Sequence, residues 1–502
     1  MAKGIFMESN YIYPFQNLKT TYTMNAKSKY NKNAVIVIAS IAATGGLLFG
    51  FDTGVISGAI PFLQDYFELT DSQIENLTAL GLIGAVVGAL FTGQITDMLG
   101  RKKVILASAF VFATGAVWTG FAPTVTQLMI SRFYLGLAIG VSSFAVPLYI
   151  SEISPTKIRG TLVSMFQLLI TVGILAAYLS DNALADNNNL ESWRPMLWVG
   201  VFPALVLFIG MFFLPETPRW LVSKGREEEG EAVLRRIEDP SLIDDSMAAM
   251  RSDIAIDKDQ ASWKEIFKPW LRNALIIAAG IMFFQQFVGI NTVIYYSPKI
   301  FLAAGFEGAE AAIAASVIVG VVNVFFTIVS LFIIDRLGRR KLYFIGVSGI
   351  FVALVCMGLG FMLPGAGKWF LVISMLVYIA FFAISLGPLG WVLITEVFPT
   401  RVRGLGASIG SLSNWGFNTL VVWTFYKMAS AIGNAKEVVV PEGQDLSEVC
   451  PSCVGGVFWI FGAVALIGLI WGYFYIPETK GVSLEKIEEH WRKGGKPRKL
   501  GK

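Results

Sequence analysis

Gly93-Gln94-Ile95-Thr96-Asp97-Met98-Leu99-Gly100-Arg101-Lys102-Lys103 and Asp335-Arg336-Leu337-Gly338-Arg339-Arg340-Lys341 are two copies of one punctuation mark. Each places an acid, a glycine and a run of bases between two long apolar stretches. A second pair follows in the same order, Ser151-Glu152-Ile153-Ser154-Pro155-Thr156-Lys157-Ile158-Arg159-Gly160 against Thr395-Glu396-Val397-Phe398-Pro399-Thr400-Arg401-Val402-Arg403-Gly404. A third is Pro215-Glu216-Thr217-Pro218-Arg219 against Pro477-Glu478-Thr479-Lys480-Gly481. Three matched motifs in one order mean a duplicated unit.

The stretches around these motifs are long enough to cross a bilayer, which takes about 20 residues of helix. In the first half they run Ala34 to Ile60, Asn76 to Thr96, Val104 to Phe121, Thr126 to Ile150, Thr161 to Ser180 and Met196 to Leu214. In the second they run Ala274 to Phe301, Ala309 to Ile334, Leu342 to Leu363, Trp369 to Val397, Leu405 to Ser430 and Val454 to Ile476. Of the 502 residues 55% are hydrophobic and 15% charged, which places the chain among integral membrane proteins. The expected fold is all-α, with twelve spans in two pseudo-symmetric six-helix bundles. Its expected parts are an N-terminal extension (1–33), a first bundle (34–214), a helical linker (215–272), a second bundle (273–476) and a tail (477–502).

The net charge of +4 is less telling than its placement. Basic residues follow spans two, four, eight and ten and crowd the linker, whereas the loops Pro61 to Glu75 and Ala122 to Gln127 have none. The positive-inside rule then puts both termini in the cytoplasm, and the polar extension precedes a full span, so it is not a cleaved signal. The linker stretch Arg226 to Ile237 reads as an amphipathic helix with Ala232, Val233 and Ile237 on its apolar face. Of three cysteines, Cys356 lies alone in an apolar run; Cys450 and Cys453 are spaced for a local disulfide, and that pairing stays open. The one histidine, His490, sits in the tail, so no histidine proton relay and no metal site are expected.

Two charges lie deep inside apolar runs: Asp52 in the first and Arg132 in the fourth. A charge near a bilayer centre costs at least ~2.5 kcal/mol, so a lone acid and a lone base suggest a working pair. Their depths, about 9 to 12 Å below the outer surface at 1.5 Å per residue, allow them to meet. An arginine favours the ionised carboxylate while burial favours the neutral acid, so small shifts between states can move a proton on and off. On this physics a proton carrier and a static ion pair stand equal.

Uncharged amides are the other polar feature of the spans: Gln167, Gln285, Gln286, Asn291, Asn323, Asn414 and Asn418, with Trp391 and Trp415 nearby in sequence. An amide offers both donor and acceptor, as a sugar hydroxyl requires, and an indole offers a flat face to a pyranose. The alternative is that they glue helices together. Gln285 and Asn291 share a face only if the helix breaks between them, and Gly289 permits that.

Taken together, the paired Gly-Arg loops, Pro-Glu-Thr-Pro-Arg, Pro-Glu-Thr-Lys-Gly and Gln285-Gln286-Phe287-Val288-Gly289-Ile290-Asn291 resemble the sugar porter family of the major facilitator superfamily, over Ala34 to Gly481. The resemblance is strongest to bacterial sugar/proton symporters. It implies a secondary transporter importing a monosaccharide by proton symport through alternating access, with Asp52 and Arg132 coupling protons. It implies a sugar site at the nine amide and indole positions named above and an outer gate at Tyr295 and Tyr296. It implies a cytoplasmic gate at Asp97, Arg101, Glu152, Arg159, Asp335, Arg339, Arg340, Glu396 and Arg403, braced by linker helices. The expected partners are a monosaccharide and the bilayer of a bacterial inner membrane, with no nucleic acid, no cofactor beyond the coupling proton, and a monomer as the working unit.

Met282-Phe283-Phe284 and Ala383 depart from some glucose-transporting animal members of the family, which have Gln-Leu-Ser and an acid there. Animal-type uniport is disfavoured; pentose, hexose and polyol stay open. No phosphate-binding loop of the ATPase type occurs, and no nucleophile with a base partner sits in the spans, so the chain is not expected to be an enzyme. A facilitative uniporter and a sugar-sensing receptor are the competing readings, and the short segment after Pro477 speaks against the receptor.

Overall fold

A computed structural model describes residues 31–155, 158–258, 263–363, 368–399, 402–436, 438, 449–482 and 484–501. The extension read at 1–33 therefore lies outside the described residues except for its last three, and so do Thr156, Lys157, Thr400 and Arg401. The first half is built from α1 (Lys32–Phe67), α2 (Asp71–Leu99), α3 (Arg101–Gly120), α4 (Val125–Ile153), α5 (Arg159–Leu184), α6 (Trp193–Val199) and α7 (Val201–Phe213). The linker holds α8 (Pro218–Ser223), α9 (Glu227–Ile237), α10 (Ile243–Lys258) and α11 (Trp263–Ile266). The second half has α12 (Arg272–Phe287), α13 (Ile290–Ala303), α14 (Gly308–Leu337), α15 (Arg339–Met362), α16 (Lys368–Ile384), α17 (Leu386–Glu396), α18 (Arg403–Trp423), α19 (Phe425–Ala435) and α20 (Pro451–Tyr475), and α21 (Leu484–Arg492) closes the chain.

Eleven helical stretches among the described residues are long and apolar enough to span, with α6–α7, α12–α13 and α16–α17 each forming one stretch. The twelfth span is α18, long enough at 21 residues but diluted by Ser408, Ser411, Ser413, Asn414 and Asn418. The membrane helices overrun the apolar runs. α1 continues to Phe67 through Gln64 and Asp65, because a helix ends where its backbone is capped, and here Glu68 adopts the left-handed conformation with φ 52°.

Within the first half, α1 lies along α5 and α2 along α4. Gly46, Gly50, Gly54 and Gly58, spaced four apart, put one edge of α1 on α5: a methyl at the first three would strike the carbonyl oxygens of Phe166, Ile170 and Ile174, and one at Gly58 would strike Asp181. Gly84 and Gly88 of α2 meet the Phe133 and Leu137 carbonyls of α4 in the same way, and Gly136 and Gly140 return the contact. Small residues at this spacing let membrane helices touch backbone to backbone.

The second half is interrupted instead. Gly289, at φ 89°, separates α12 from α13; Ser385 separates α16 from α17; Thr424 separates α18 from α19. In the linker, α9 buries Gly230, Val233, Leu234 and Ile237, while Ala232 is exposed. The apolar face expected there is therefore rotated: the burial follows the i, i+3, i+4, i+7 stripe, which Ala232 does not join. Asn31 ties the start of α1 to the end of α9 through a 3.2 Å bond from its amide to the Ile237 carbonyl. Cys450 and Cys453 are joined in a disulfide at the start of α20.

Candidate functional site

Asp52 is the twenty-first residue of α1, nearer its middle than the apolar run suggested. Arg132 donates to both its oxygens, Nη1 to Oδ1 at 2.5 Å and Nη2 to Oδ2 at 2.8 Å. Both side chains are almost fully buried, at 4% and 2% exposure, so the pair is desolvated and its geometry has to be good. Gly81 on α2 packs against Arg132, with room for a Cβ in ordinary contact with its guanidinium. From the other bundle, the buried Tyr295 comes within electrostatic range of Thr53, Asp52 and Arg132.

Four of the amides form one chain. Asn291 donates to Gln286 Oε1 at 2.7 Å, Gln286 to Gln285 Oε1 at 3.1 Å, and Asn414 to Gln285 Oε1 at 2.6 Å. Gln285 in turn gives its two N–H groups to the Leu386 and Gly387 carbonyls, at 2.8 and 3.1 Å, just past the break at Ser385. An amide has two donors and two lone pairs. Gln285 spends all four on the protein, so it fixes α12, α17 and α18 together, whereas Gln286, Asn291 and Asn414 keep groups to spare. The break at Gly289 is what lets Gln285, Gln286 and Asn291 meet, as the spacing required.

Gln167 on α5, Asn323 on α14 and Trp391 on α17 make no side-chain hydrogen bond among the described residues and do not join that chain. Gln167 and Trp391 are half-buried and Asn323 is buried. Trp415 is buried, lies against Phe49 at 5.0 Å between ring centres, and donates to Ser143 Oγ at 3.2 Å, linking α18 to α1 and α4. Asn418 is buried one turn further along, its Oδ1 without a hydrogen-bond partner among the described residues.

At the end that carries the basic loops, the two copies of the duplicated motif assemble alike. Arg101 pairs with Asp97 and Glu152, both at 3.1 Å; Arg339 pairs with Asp335 at 2.9 Å and Glu396 at 2.8 Å. Thr217 donates to Glu152 and Thr479 to Glu396, at 2.6 and 2.5 Å. Glu216 accepts from the amides of Arg101 and Lys102, and Glu478 from those of Arg339 and Arg340. Carboxylates thus cap the first turns of α3 and α15, where free amides and the helix dipole favour a negative charge. Burial pushes the Glu216 carboxyl up from its ordinary value, against the pull of those amides. Lys102 Nζ bonds the Phe212 carbonyl at the end of α7, and Arg340 bonds the Tyr473 and Ile476 carbonyls at the end of α20. All these contacts stay within one half. Arg159 is exposed, without an ion pair among the described residues, and Arg403 is half-buried at the start of α18.

The opposite end is where the halves meet. Tyr296 is fully buried against Phe425 and Tyr426, and Tyr178 donates to the Ile294 carbonyl at 2.8 Å. Ser57 and Ser297 face each other at 3.4 Å. Three buried ionisable groups here escaped the sequence reading: Glu75, Asp181 and Lys299, at 1%, 0% and 7% exposure. Each lies at the edge of an apolar run, where a charge looks like a solvated helix end. Their signal was weak, a helical period that carries 71 and 75 onto one face of α2.

The profile of the family described as "Sugar (and other) transporter" matches residues 38–491. The chain is 37% identical over 487 residues to the galactose-proton symporter of Escherichia coli (strain K12), a match covering 95% of this chain and 98% of that protein. It is 35% identical over 475 residues to the arabinose-proton symporter of the same strain, covering 92% and 95%. A solved structure described as the major facilitator superfamily proton:xylose symporter XylE bound to 6-bromo-6-deoxy-D-glucose superposes with a TM-score of 0.75 at 30% identity, covering 92% of this chain and all of that one. This multi-pass membrane protein, with its duplicated motif clusters and broken second-half helices, belongs to the sugar transporter family of the major facilitator superfamily.

Proposed function

We propose that the chain imports a monosaccharide, a pentose, hexose or polyol, by proton symport through alternating access; it is a carrier, not an enzyme, and uses no cofactor beyond the proton. The observation that carries this reading is the buried Asp52–Arg132 pair, placed in the first bundle and approached by Tyr295 of the second. Asp52 binds the proton and Arg132, which donates to both its oxygens, is the partner that has to move for the carboxyl to take the proton up. The pair loosens when the bundles part and Tyr295 leaves. Named sugar-proton symporters among the relatives support the same coupling.

The sugar takes the spare amide groups of Gln286, Asn291 and Asn414, with Gln167, Asn323 and Asn418 around them and Trp391 and Trp415 as apolar faces; Gln285 positions the others. Tyr295 and Tyr296 form the outer gate. The Asp97–Arg101–Glu152 and Asp335–Arg339–Glu396 clusters, with Arg159, Arg340 and Arg403, belong to the cytoplasmic gate. The divisions at 34–214, 215–272 and 273–476 are the moving units and the linker that braces them. Both termini face the cytoplasm of a bacterial inner membrane, and one chain suffices.

Purified protein in proteoliposomes, offered pentoses, hexoses and inositol with and without an inward proton gradient, tests this. Accumulation of one class only with the gradient is the expected result; equal uptake without it returns the chain to facilitated uniport.

A further inference from the structure

One device recurs at three α-helix starts among the described residues: a carboxylate on the free amides. Glu216 on α3 and Glu478 on α15 stay inside their own halves. The third crosses between them. Glu75, on the second turn of α2, accepts from the amide of Tyr426 at 2.6 Å and that of Lys427 at 3.2 Å, with Lys427 Nζ 4.0 Å away. Those amides are the second and third of α19, left without intrahelical acceptors because the chain breaks at Thr424, φ −109° and ψ 1°.

Two neighbours reinforce it from the same turns of α2. Asp71 pairs with Lys299 of α13 at 3.3 Å, and Asn76 accepts from Trp423 of α18 at 2.9 Å. Tyr296 stacks on Phe425, the first residue of α19, at 5.4 Å. Oε1 takes both amides at the positive helix end, while Oε2 is buried without a hydrogen-bond partner among the described residues; when the halves part, water reaches both oxygens. The contact thus has a closed arrangement and a hydrated one, as a switch needs.

We infer that Glu75 is the latch of the outer end, a positioning residue that holds the first half to the start of α19 in the outward-closed state and releases it when the outer end opens. It rests on the alternating-access reading above. The caps at Glu216 and Glu478 persist through the cycle, because both partners of each move together.

The test uses the full chain in sided membrane vesicles, in a Cys356→Ser background. Ser57→Cys reports the outer seam and Gly404→Cys, exposed with open space around its Cβ, reports the opposite end, each by its rate of labelling with a membrane-impermeant maleimide. Losing two charge-assisted bonds should raise outer labelling about tenfold in Glu75→Leu and by less in Glu75→Gln, whose amide oxygen still accepts. Labelling at Gly404→Cys should fall in the same variants, and the external KM for sugar should drop together with the maximal rate. Labelling that rises at both ends would mean a loosened fold and overturn the latch, as would no change at either. If the native protein moves no sugar, the transport reading fails on its own while the labelling ratio still answers for Glu75.

Discussion

The two halves share a scaffold and three motifs but use most of their glycines differently. In the first, glycines bring helix backbone onto helix backbone along α1–α5 and α2–α4. In the second, glycines face rings: Gly349 meets Phe381, Gly472 meets Tyr343, Gly289 meets Phe461 and Gly280 meets Trp471. Backbone contact between helices cannot slide without a collision, whereas a ring can turn in its notch. The chemistry divides along the same line. The first half holds a charge pair, and counting back twenty residues from Glu152 and from Glu396 gives Arg132 in one copy and Leu376 in the other. The second half holds amides at its helix breaks. Duplication supplied two equal frames, of which the first carries the buried charge pair and the second the chain of amides at its helix breaks.

The largest effect that would break this division is at Asp52. Asp52→Asn should reduce proton-driven accumulation at least about 100-fold while sugar exchange across the membrane continues; accumulation against a gradient by the variant would move coupling elsewhere. Next comes Arg132→Met, which strands a buried carboxylate and should cost about 3–5 kcal/mol of stability, seen as a lower unfolding temperature in detergent. The double variant Asp52→Asn/Arg132→Met should recover most of that loss; if it does not, the pair is not what stiffens the first half.

In the second half, Gln285→Ala and Gln286→Ala should separate. Gln286→Ala should weaken sugar binding by about 1–3 kcal/mol with little change in stability, whereas Gln285→Ala should lower the unfolding temperature, because four bonds to α12, α17 and α18 go with it. Equal effects of the two on calorimetric affinity and on melting would remove the distinction between a binding amide and a positioning one. The smallest effect is at the basic end. Glu396→Gln should cost about 1 kcal/mol or less and Glu152→Gln more, since Glu396 is 30% exposed in its pair and Glu152 only 6%. Chemical denaturation of each resolves the order.

The twelve spans, the duplication and the pairing of Asp52 with Arg132 were legible because each is written as a charge or motif against an apolar background. The break at Gly289 was legible too, from a spacing that fails on an unbroken helix. The breaks at Ser385 and Thr424 were not, because Ser and Thr sit in intact membrane helices equally well. Nor was Glu75, since an acid at the edge of an apolar run reads as solvated until a helix from the other half is laid over it. That Gln285 is saturated could be read only from its partners: Leu386 and Gly387 accept through backbone carbonyls, which every residue has.

The seat of Tyr295 bears on leakage. A carrier squanders its gradient when it turns over as readily without the driving ion as with it, and nothing in a passive hinge prevents that. Tyr295, proposed above as part of the outer gate, is buried within electrostatic range of Thr53 and of the ion pair itself. On the proposed reading, opening would then change the surroundings of Asp52 directly, and Tyr295 would be one of the cross-half contacts at which slippage is resisted.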